Sequence, residues 1–403
     1  MFKNQAITSD IFYVGVNDRQ KAKFENLIPL SRGVSYNSYL IIDEKTALVD
    51  TVDISFGMLF IHKVLAALNG KTLDYLIINH MEPDHSGAIG LLRKYFPQMT
   101  IVGNAKTLSM VEGFHGSVGN SLEIKEKDTL NLGQHVLQFY MIPMVHWPET
   151  MVTYDATARV LFSGDAFGSF GTLDGAIIDV QMNVKRFWNE MIRYYANIVG
   201  KYGSPVQKAL DKIVPLPIDF ICSTHGPVWT ENIPQVIDIY ADMANFRACE
   251  GVVIVYGTMY GNTEQMAEAV ARGVAEAGVK HVLVYNASVA DSSVILRDIY
   301  KYKGLIAGSP TYNNELYPEI ESLLRKLEIR GVRNRVFGYF GSYSWAGAAV
   351  KRIKDFAEKM DFTLAETVVE QKQALNAENY EKCVKLGKEV GEKVKSEDIN
   401  SRN

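Results

Sequence analysis

The sequence predicts an α/β protein of two domains. A chain of 403 residues is long enough for two or three domains. Toward the C-terminus, apolar β-branched runs alternate with segments of helical period, which is typical of a doubly wound parallel sheet. The N-terminal part mixes strand and helix signals less regularly and favours a sandwich of mixed sheets with helices outside. The pattern changes near residues 248–251, so we predict domains at residues 1–248 and 249–403.

The N-terminal domain is predicted to contain short strands, most of them apolar, and a few helices. Helical periodicity occurs at residues 56–68, 88–95 and 233–246. The strand signals lie at residues 34–42, 46–50, 75–78, 100–102, 135–141, 150–155 and 159–163.

The C-terminal domain is predicted to form a five-stranded parallel sheet. Its strand signals lie at residues 252–256, 281–285, 304–307, 336–340 and 363–369. Helical patterns lie at residues 263–277, 292–302, 317–327, 347–360 and 377–395. The polar residues 393–403 are expected to fray.

Composition excludes several classes of protein. The net charge of −4 and the lack of a long basic run argue against nucleic acid as a main partner. No segment has the roughly 20 apolar residues of a membrane span, and the first residues lack a secretory signal. Cys222, Cys249 and Cys383 form no CxxC pair, which indicates a reducing, cytoplasmic location and no iron–thiolate module in this chain.

The segment LIINHMEPDHSG carries four candidate metal ligands. His80, Glu82, Asp84 and His85 follow the end of an apolar strand within six residues. Clustered carboxylates at such a place are costly unless a cation compensates their charge. The alternative is a solvated acidic turn in which Asp84 caps the following helix.

Three later segments place a ligand-type side chain where an apolar run stops. They are MVHWP with His146, LFSGDAFG with Asp165 and FICSTHGPVW with His225. Strand ends are where α/β proteins build their sites. The other histidines lack this context and are interpreted as ordinary surface or partly buried residues: His62, His115, His135 and His281.

The pattern HxExDH followed by H, D and H resembles the metallo-β-lactamase superfamily. Its zinc hydrolases usually carry a histidine where this chain has Glu82. Glutamate there is the signature of the flavodiiron proteins (A-type flavoproteins), which the chain resembles along essentially its whole length. The resemblance implies a metallo-β-lactamase-like αββα sandwich. Carboxylate–imidazole ligand sets also suit iron.

The same resemblance implies a di-iron centre that reduces dioxygen to water or couples two nitric oxide molecules to nitrous oxide. One iron would be held by His80, Glu82 and His146, the other by Asp84, His85 and His225, with Asp165 bridging them. Some members leave the histidine that matches His85 off the metal. Two other residues resemble positions near the substrate pocket, namely Tyr194 and, where some members carry a histidine, Glu25.

Three loops in the C-terminal half follow strands and are rich in small, hydroxyl and aromatic residues. The first, after VVIVYG, would wrap a phosphate at a helix N-terminus. No lysine follows it, so it is not an NTP-binding P-loop. Simple tight turns and an aromatic cover of the sheet end are the alternatives. The candidate residues are Thr258, Met259, Tyr260, Gly261, Asn262 and Thr263, then Ser309, Pro310, Thr311, Tyr312, Asn313 and Asn314, then Ser342, Tyr343, Ser344, Trp345 and Gly347.

These three loops resemble those of flavodoxins, which implies a flavodoxin-like domain that binds FMN. Tyr260 departs from the Thr or Ser that is common there, which removes one phosphate hydroxyl but keeps the backbone amides. Electrons would enter at FMN from an external donor, rubredoxin or reduced F420. The family resemblance also implies a head-to-tail homodimer or a dimer of dimers.

Two other functions compete with this one. A zinc-dependent hydrolase of the metallo-β-lactamase type could be fused to a flavodoxin domain, although Glu82 argues against it. A pure electron-transfer flavoprotein would have a vestigial metal site, although all seven ligand positions are intact.

Overall fold

A computed structural model describes residues 4–397, and these form two compact units that meet in sequence at Ala244 and Asn245. The sequence placed the boundary at residue 248. Phe246 explains the difference, because its carbonyl accepts a 2.9 Å hydrogen bond from Arg335 Nη1 and its ring lies 5.5 Å from that of Tyr300. It therefore belongs to the core of the second unit.

The first unit is built from short strands and seven α-helices in the described residues. The strands are β1 (Gln5–Ala6), β2 (Ile11–Tyr13), β3 (Val16–Asp18), β4 (Lys23–Phe24), β5 (Ile28–Pro29), β6 (Val34–Tyr36), β7 (Tyr39–Ile42), β8 (Thr46–Val49), β9 (Tyr75–Ile77), β10 (Thr100–Gly103), β11 (Ser121–Glu123), β12 (Thr129–Asn131), β13 (Val136–Met141), β14 (Met151–Asp155), β15 (Val160–Gly164) and β16 (Phe220–Ser223). The helices are α1 (Gly57–Leu68), α2 (Pro83–Ser86), α3 (Ile89–Tyr95), α4 (Ala105–His115), α5 (Lys185–Tyr194), α6 (Gly203–Ile213) and α7 (Ile233–Ala244).

Two facing sheets make the core of this unit. Over the described residues, one has the order β1-β2-β7-β8-β9-β10-β11 and the other β12-β13-β14-β15-β16. Tyr39 joins them: its hydroxyl donates to the Ser223 carbonyl at 2.7 Å, and its ring lies 5.5 Å from Phe162. Helices α1 and α4 pack on strands of the first sheet. The predicted sandwich of mixed sheets is confirmed.

The strand predicted at residues 34–42 is interrupted in the structure. Strands β6 and β7 are separated by Asn37 and Ser38. The Asn37 amide donates to the carbonyls of Ser223 and Gly226 at 2.9 and 2.8 Å, and the Ser38 hydroxyl donates to the Asp50 carbonyl at 2.9 Å. These tertiary hydrogen bonds replace ladder pairing, so the chain changes partner and β6 pairs with β3 instead.

The second unit is a doubly wound parallel sheet. Its strands are β17 (Cys249–Tyr256), β18 (Val282–Asn286), β19 (Tyr302–Pro310), β20 (Arg335–Tyr343), β21 (Phe362–Leu364) and β22 (Val369–Lys372). Its helices are α8 (Asn262–Glu276), α9 (Ser292–Lys301), α10 (Pro318–Arg330), α11 (Ala349–Ala357) and α12 (Ala377–Glu397). The order β18-β17-β19-β20-β21, all parallel, is the flavodoxin-like order.

Two details of the second unit differ from the prediction. The fifth strand position is shared by β21 and β22, which pair with successive parts of β20. Residues 393–397 continue α12 instead of fraying, because Val394 is buried in the core of this unit. The rest of the segment predicted to fray lies outside the described residues.

In the described part of the chain, no helix has the length and apolar composition to cross a membrane.

His135 is not the ordinary, partly buried residue that the sequence suggested. It is buried between two carboxylates, with Nδ1 2.5 Å from Asp155 Oδ2 and Nε2 3.1 Å from Asp10 Oδ2. The hydrogen bond to Asp155 raises the pKa of His135 to about 9, against the opposing effect of burial. Asp10 lies between strands of the first sheet and Asp155 ends a strand of the second, so protonated His135 ties the sheets together.

The His135 ion pairs should make the stability of the first unit depend on pH. Because the pKa is higher in the folded than in the unfolded state, the stabilisation is complete below about pH 6.5. It should fall as pH rises through about 9. Urea unfolding of the wild type and His135→Gln at pH 6 and pH 9.5 should show a difference on the order of 2 kcal/mol that shrinks at high pH. A difference equal at both pH values would contradict this, and His62→Gln, at an exposed histidine, is the control.

Candidate metal and flavin sites

Seven candidate ligands converge at one edge of the sandwich because parallel strands end there. His80, Glu82, Asp84 and His85 follow β9, and Asp165 follows β15. His225 comes after β16, and His146 lies in the loop between β13 and β14. Pro83 starts helix α2, so Glu82 lies before the helix and Asp84 and His85 lie within it. All seven side chains are buried.

Asp165 lies at the centre of the cluster, and each of its two carboxylate oxygens faces a different pair of histidines. Its Oδ2 is 3.4 Å from His80 Nε2 and 3.2 Å from His146 Nε2. Its Oδ1 is 2.9 Å from His85 Nε2 and 3.7 Å from His225 Nε2. The carboxylate therefore faces two separate pairs of imidazoles, which is the geometry of a bridging ligand.

Each half is completed by one further carboxylate. Glu82 Oε2 lies 3.4 Å from His80 Nε2 and 3.2 Å from His146 Nε2. Asp84 Oδ1 lies 3.3 Å from His85 Nε2, and Asp84 Oδ2 lies 3.4 Å from His225 Nε2. Two groups of potential ligand atoms result, one of His80, Glu82, His146 and Asp165 and one of Asp84, His85 and His225.

The arrangement of these side chains is explained better by bound cations than by hydrogen bonds among the side chains themselves. Both carboxylate oxygens of Asp84 and Nε2 of His225 are buried without a hydrogen-bond partner. Such atoms cost free energy unless they bind a cation. Asp84 therefore does not cap a solvated turn, which was the alternative that the sequence left open. Oxygen and imidazole ligands without sulfur suit iron as well as zinc.

The protein groups alone hold protons that a cation must displace. Burial lowers the pKa of His85, but the charges of Asp84 and Asp165 outweigh it and raise that pKa to about 9. His146 is similar, since hydrogen bonds to Asp165 and Glu82 overcome burial and raise its pKa to about 9. Metal binding should consequently release protons at neutral pH.

The predicted flavin loops meet at the carboxyl edge of the second unit. They surround a pocket of about 410 Å³. Tyr260 and Trp345 at its rim are 89% and 88% exposed, which leaves their rings available for stacking. The predicted residues that line the pocket are Met259, Tyr260, Thr311, Tyr312, Asn313, Asn314, Ser344 and Trp345.

The other predicted flavin residues do not line the pocket, and several of them hold the loops in place through hydrogen bonds. Thr258 Oγ1 accepts a 3.0 Å hydrogen bond from the Gly261 amide, which has the positive φ of 88° that the turn before α8 requires. Thr263 and Ser342 hydrogen-bond each other at 2.8 Å in the interior. The Ser309 hydroxyl is buried and donates to the Pro310 carbonyl.

The strands before two of these loops are longer than predicted. Strands β19 and β20 include Ser309, Pro310, Ser342 and Tyr343. Asn262 begins α8, and Gly347 precedes α11.

Sequence comparisons match both units to known families. The family described as ODP family beta lactamase matches residues 34–226, and the family described as flavodoxin matches residues 254–387. The anaerobic nitric oxide reductase flavorubredoxin of Escherichia coli O1:K1 is 33% identical over 390 residues, which cover 95% of this chain and 81% of that protein. The protein of that name from Aliivibrio fischeri is 36% identical over 355 residues, covering 86% of this chain and 71% of its own.

Solved structures agree with these matches over nearly the whole chain. The rubredoxin oxygen:oxidoreductase of Desulfovibrio gigas superimposes with a TM-score of 0.93 at 28% identity, covering 98% of this chain and 99% of that one. The chain belongs to the flavodiiron protein family. The flavodiiron protein of Giardia intestinalis has the same fold, with a TM-score of 0.93 at 24% identity over 98% of each chain.

Family membership confirms the predicted fold class and the resemblance on which the sequence interpretation depends. A flavodiiron protein combines a metallo-β-lactamase-like unit and a flavodoxin-like unit, as this chain does. The predicted enzyme class, an oxidoreductase with FMN and a di-iron centre, is confirmed with it.

The flavodiiron cluster is held by partners that the sequence analysis missed. Glu149 Oε1 lies 2.9 Å from His80 Nδ1 and accepts a 2.9 Å hydrogen bond from the Met81 amide. His225 Nδ1 donates to the Ser35 carbonyl at 2.7 Å, and the Thr224 hydroxyl donates to Asp165 Oδ1 at 2.6 Å. One signal was available for Glu149, a carboxylate three residues after His146 in the same loop.

Tyr194 and Glu25, predicted to lie near the substrate pocket, both approach the cluster. The Tyr194 hydroxyl is buried without a hydrogen-bond partner, and its ring lies 5.5 Å from that of His225. Phe24 also contacts His225, at 5.4 Å between ring centroids. Glu25 is an exposed residue, and partial burial of its carboxyl group, followed by the charge of nearby Glu82, raises the pKa of Glu25 to about 7.

Removing Glu149 should weaken iron binding without disturbing flavin binding. The carboxylate fixes the tautomer and orientation of His80, and loss of such a partner typically costs about 10- to 100-fold in metal affinity. Glu149→Ala should therefore lose iron during dialysis against a chelator at concentrations that leave the wild type loaded. The matched control is Glu126→Ala, a surface acid paired with Lys212. Equal iron retention in both variants would contradict the assigned role.

Proposed function

We propose that this protein reduces dioxygen to water, nitric oxide to nitrous oxide, or both, at a di-iron site, with electrons supplied through FMN. The observation that carries the proposal is Asp165, whose two oxygens face two separate sets of ligands. The names of the relatives support both gases, since one is called a nitric oxide reductase and another a rubredoxin oxygen:oxidoreductase.

Two iron ions, when bound, supply electrons and a shared positive charge to one substrate pocket. The side chains of this chain do the rest. The two ligand groups would hold the metals, and the rings of Phe24 and Phe170 pack on Tyr194 and exclude water from that side. Tyr194 offers a hydroxyl proton inside the pocket, and Glu25 carries protons from the surface to the Glu82 side. The replacement of histidine by Glu25 would tune the preference between the two gases.

Tyr194→Phe should slow turnover while leaving stability nearly unchanged. The ring packing on Phe170 and His225 is kept, and only an unpartnered hydroxyl is lost. A positioned proton donor typically contributes about 100-fold or more, so we expect kcat for at least one gas to fall on the order of 100-fold. Gas consumption by iron- and FMN-replete protein, measured with one electron donor common to both gases, tests this.

The control for Tyr194 is its neighbour Tyr195, whose ring packs on Tyr240. Tyr195→Phe should turn over like the wild type. If Tyr194→Phe shows unchanged rates with both gases, the tyrosine has no part in the mechanism.

For the flavin we propose that the backbone amides of the loop from Thr258 to Thr263 bind the FMN phosphate at the N-terminus of α8. Tyr312 and Trp345 would then flank the isoalloxazine ring in the 410 Å³ pocket. Trp345→Ala should weaken FMN binding, measured by fluorescence titration of the deflavinated protein.

We further propose a head-to-tail homodimer, alone or as a dimer of dimers, in which the FMN of one subunit serves the irons of the other. The high exposure of Tyr260 and Trp345 supports it, because large exposed aromatic side chains at a pocket rim are typical of surfaces that a partner covers. Full activity of a monomer at high dilution, verified by sedimentation, would refute the dimer.

The electron donor is proposed to be a separate protein or cofactor, either rubredoxin or reduced F420. Steady-state assays with each donor, and with NADH plus a reductase, separate these. The three free cysteines, of which Cys222 and Cys383 are buried, support a reducing, cytoplasmic location.

Elemental analysis and oxidation kinetics test the function as a whole. Protein that holds two irons and one FMN, and whose reduced form is rapidly oxidised by oxygen or nitric oxide, supports it. Zinc as the only metal that restores an activity, with hydrolysis of an ester or amide substrate, would favour the hydrolase. Slow oxidation at full iron loading would leave only electron transfer.

A further inference from the structure

A small pocket in the first unit lies apart from the di-iron ligands. It is formed by helix α5, the loop before β6 and the loop after Gly168. Its volume is about 130 Å³, comparable with the roughly 150 Å³ engineered cavity that admits benzene. The lining residues that matter here are Arg32, Phe170, Arg186, Phe187, Glu190 and Arg193.

Hydrogen bonds between the two loops hold this pocket open. The Gly171 amide donates to the Gly33 carbonyl and the Thr172 amide donates to the Arg32 carbonyl, both at 3.1 Å. Phe170 and Phe187 are buried and form a fixed apolar wall. The pocket is therefore a built feature of the fold.

The charge around the pocket is unbalanced. Arg19 and Arg186 share one carboxylate, Asp174, with Arg19 Nη1 2.9 Å from Asp174 Oδ1. Arg193 is buried and pairs with Glu190 at 3.2 Å. Arg19 and Arg186 therefore carry one positive charge more than Asp174 balances.

Arg32 adds a further positive charge that no side chain in the described residues neutralises. It is exposed at the pocket, and no carboxylate among residues 4–397 forms an ion pair with it. Arg19, Arg186 and Arg32 then stand against the single carboxylate of Asp174, an excess of two positive charges beside the pocket. Arginine binds oxyanions through paired, charge-assisted hydrogen bonds.

We propose that this pocket binds a small oxyanion, a phosphate or a carboxylate, with Arg32 as its main partner. The apolar wall of Phe170 and Phe187 excludes water from one side and strengthens the interaction. The Phe170 ring centroid lies 5.1 Å from that of Tyr194. The Phe170 ring would therefore separate a bound anion from Tyr194, which lies beside the candidate metal ligands. The site is thus placed to sense anions next to, but outside, the reaction centre.

Isothermal titration of the iron- and FMN-loaded protein tests the proposal. Inorganic phosphate and acetate are titrated separately in a low-salt buffer, and the stronger of the two identifies the source of the oxyanion. We expect saturable binding by at least one of them. Arg32→Ala should weaken it about tenfold or more, which corresponds to roughly 1.4 kcal/mol. Glu190→Gln should tighten it several-fold, because it removes a negative charge that lines the pocket.

The matched control is Lys106→Ala, which removes one exposed positive charge that does not line the pocket. It should bind like the wild type. Equal weakening by Lys106→Ala and Arg32→Ala would mean general charge attraction and would overturn the proposal. So would chloride competing as well as phosphate at equal ionic strength, or the absence of saturation with either anion.

Discussion

Asp165→Ala is expected to abolish gas reduction, on the order of a thousandfold or more, while the flavin stays bound. Among residues 4–397, this carboxylate is the only side chain whose two oxygens reach both groups of ligands. Its loss removes a ligand from each metal at once and leaves His80 and His85 facing each other without the negative charge between them. We therefore expect both irons to be lost together instead of one.

The measurement has three independent readouts. Elemental analysis counts iron, visible absorbance counts FMN, and stopped-flow mixing of the reduced protein with each gas gives the oxidation rate. Asp165→Asn is the matched variant, because it keeps one oxygen and the volume of the side chain, so it should retain part of the iron. An Asp165→Ala protein that keeps two irons and oxidises rapidly would contradict the assignment of a bridging carboxylate.

Much of the candidate metal cluster could be predicted from the sequence because its candidate ligands stand directly after apolar strands. His80, Asp165 and His225 each follow a run whose periodicity marks a buried strand, and parallel strands end at one edge. The pattern does not show which oxygen faces which imidazole, since that depends on the turn at Pro83 and on the facing sheet. The division into two groups came from family resemblance and agrees with the distances in the structure.

The parts that the sequence did not predict are those fixed by distant contacts. Glu149 and the Ser35 carbonyl orient His80 and His225, and although Glu149 stands three residues after His146, nothing local shows that it reaches His80. In the sequence, nothing distinguishes His135 from a surface histidine, because its partners Asp10 and Asp155 come close to it only in the folded protein. The break in the strand at residues 37–38 depends on hydrogen bonds to residues almost 190 positions away. Local periodicity carries no information about such pairs.

Arg335→Met is expected to destabilise the flavodoxin-like unit by about 3 kcal/mol or more. Arg335 is buried in the sheet and its guanidinium donates only to backbone carbonyls. Burial lowers its pKa to about 10, which still leaves it charged at neutral pH. Its acceptors are the carbonyls of Phe246, Ile299, Tyr300, Arg333 and Asn334, at 2.9 to 3.1 Å.

The large expected effect comes from the backbone carbonyls that lose a donor in Arg335→Met. The methionine side chain has a similar length and fills most of the space, but the carbonyls of Ile299, Tyr300 and Phe246 lose the guanidinium donors in the interior. Each unsatisfied buried group costs about 1 to 3 kcal/mol. Since a domain is stable by only about 5 to 15 kcal/mol, the loss should be visible as early release of FMN in a guanidinium titration.

Two comparisons separate this effect from the loss of a charge. Arg325→Met removes an exposed arginine of α10 that pairs with Glu328, and such surface pairs contribute at most about 1 kcal/mol. Arg335→Lys keeps the charge but offers a single nitrogen to acceptors spread around the planar guanidinium, so it should rescue only part of the stability. If Arg335→Lys matched the wild type, the charge alone would account for the stability and the network of five carbonyls would not. If Arg335→Met unfolded at the same denaturant concentration as Arg325→Met, neither the buried charge nor its hydrogen bonds would stabilise this unit.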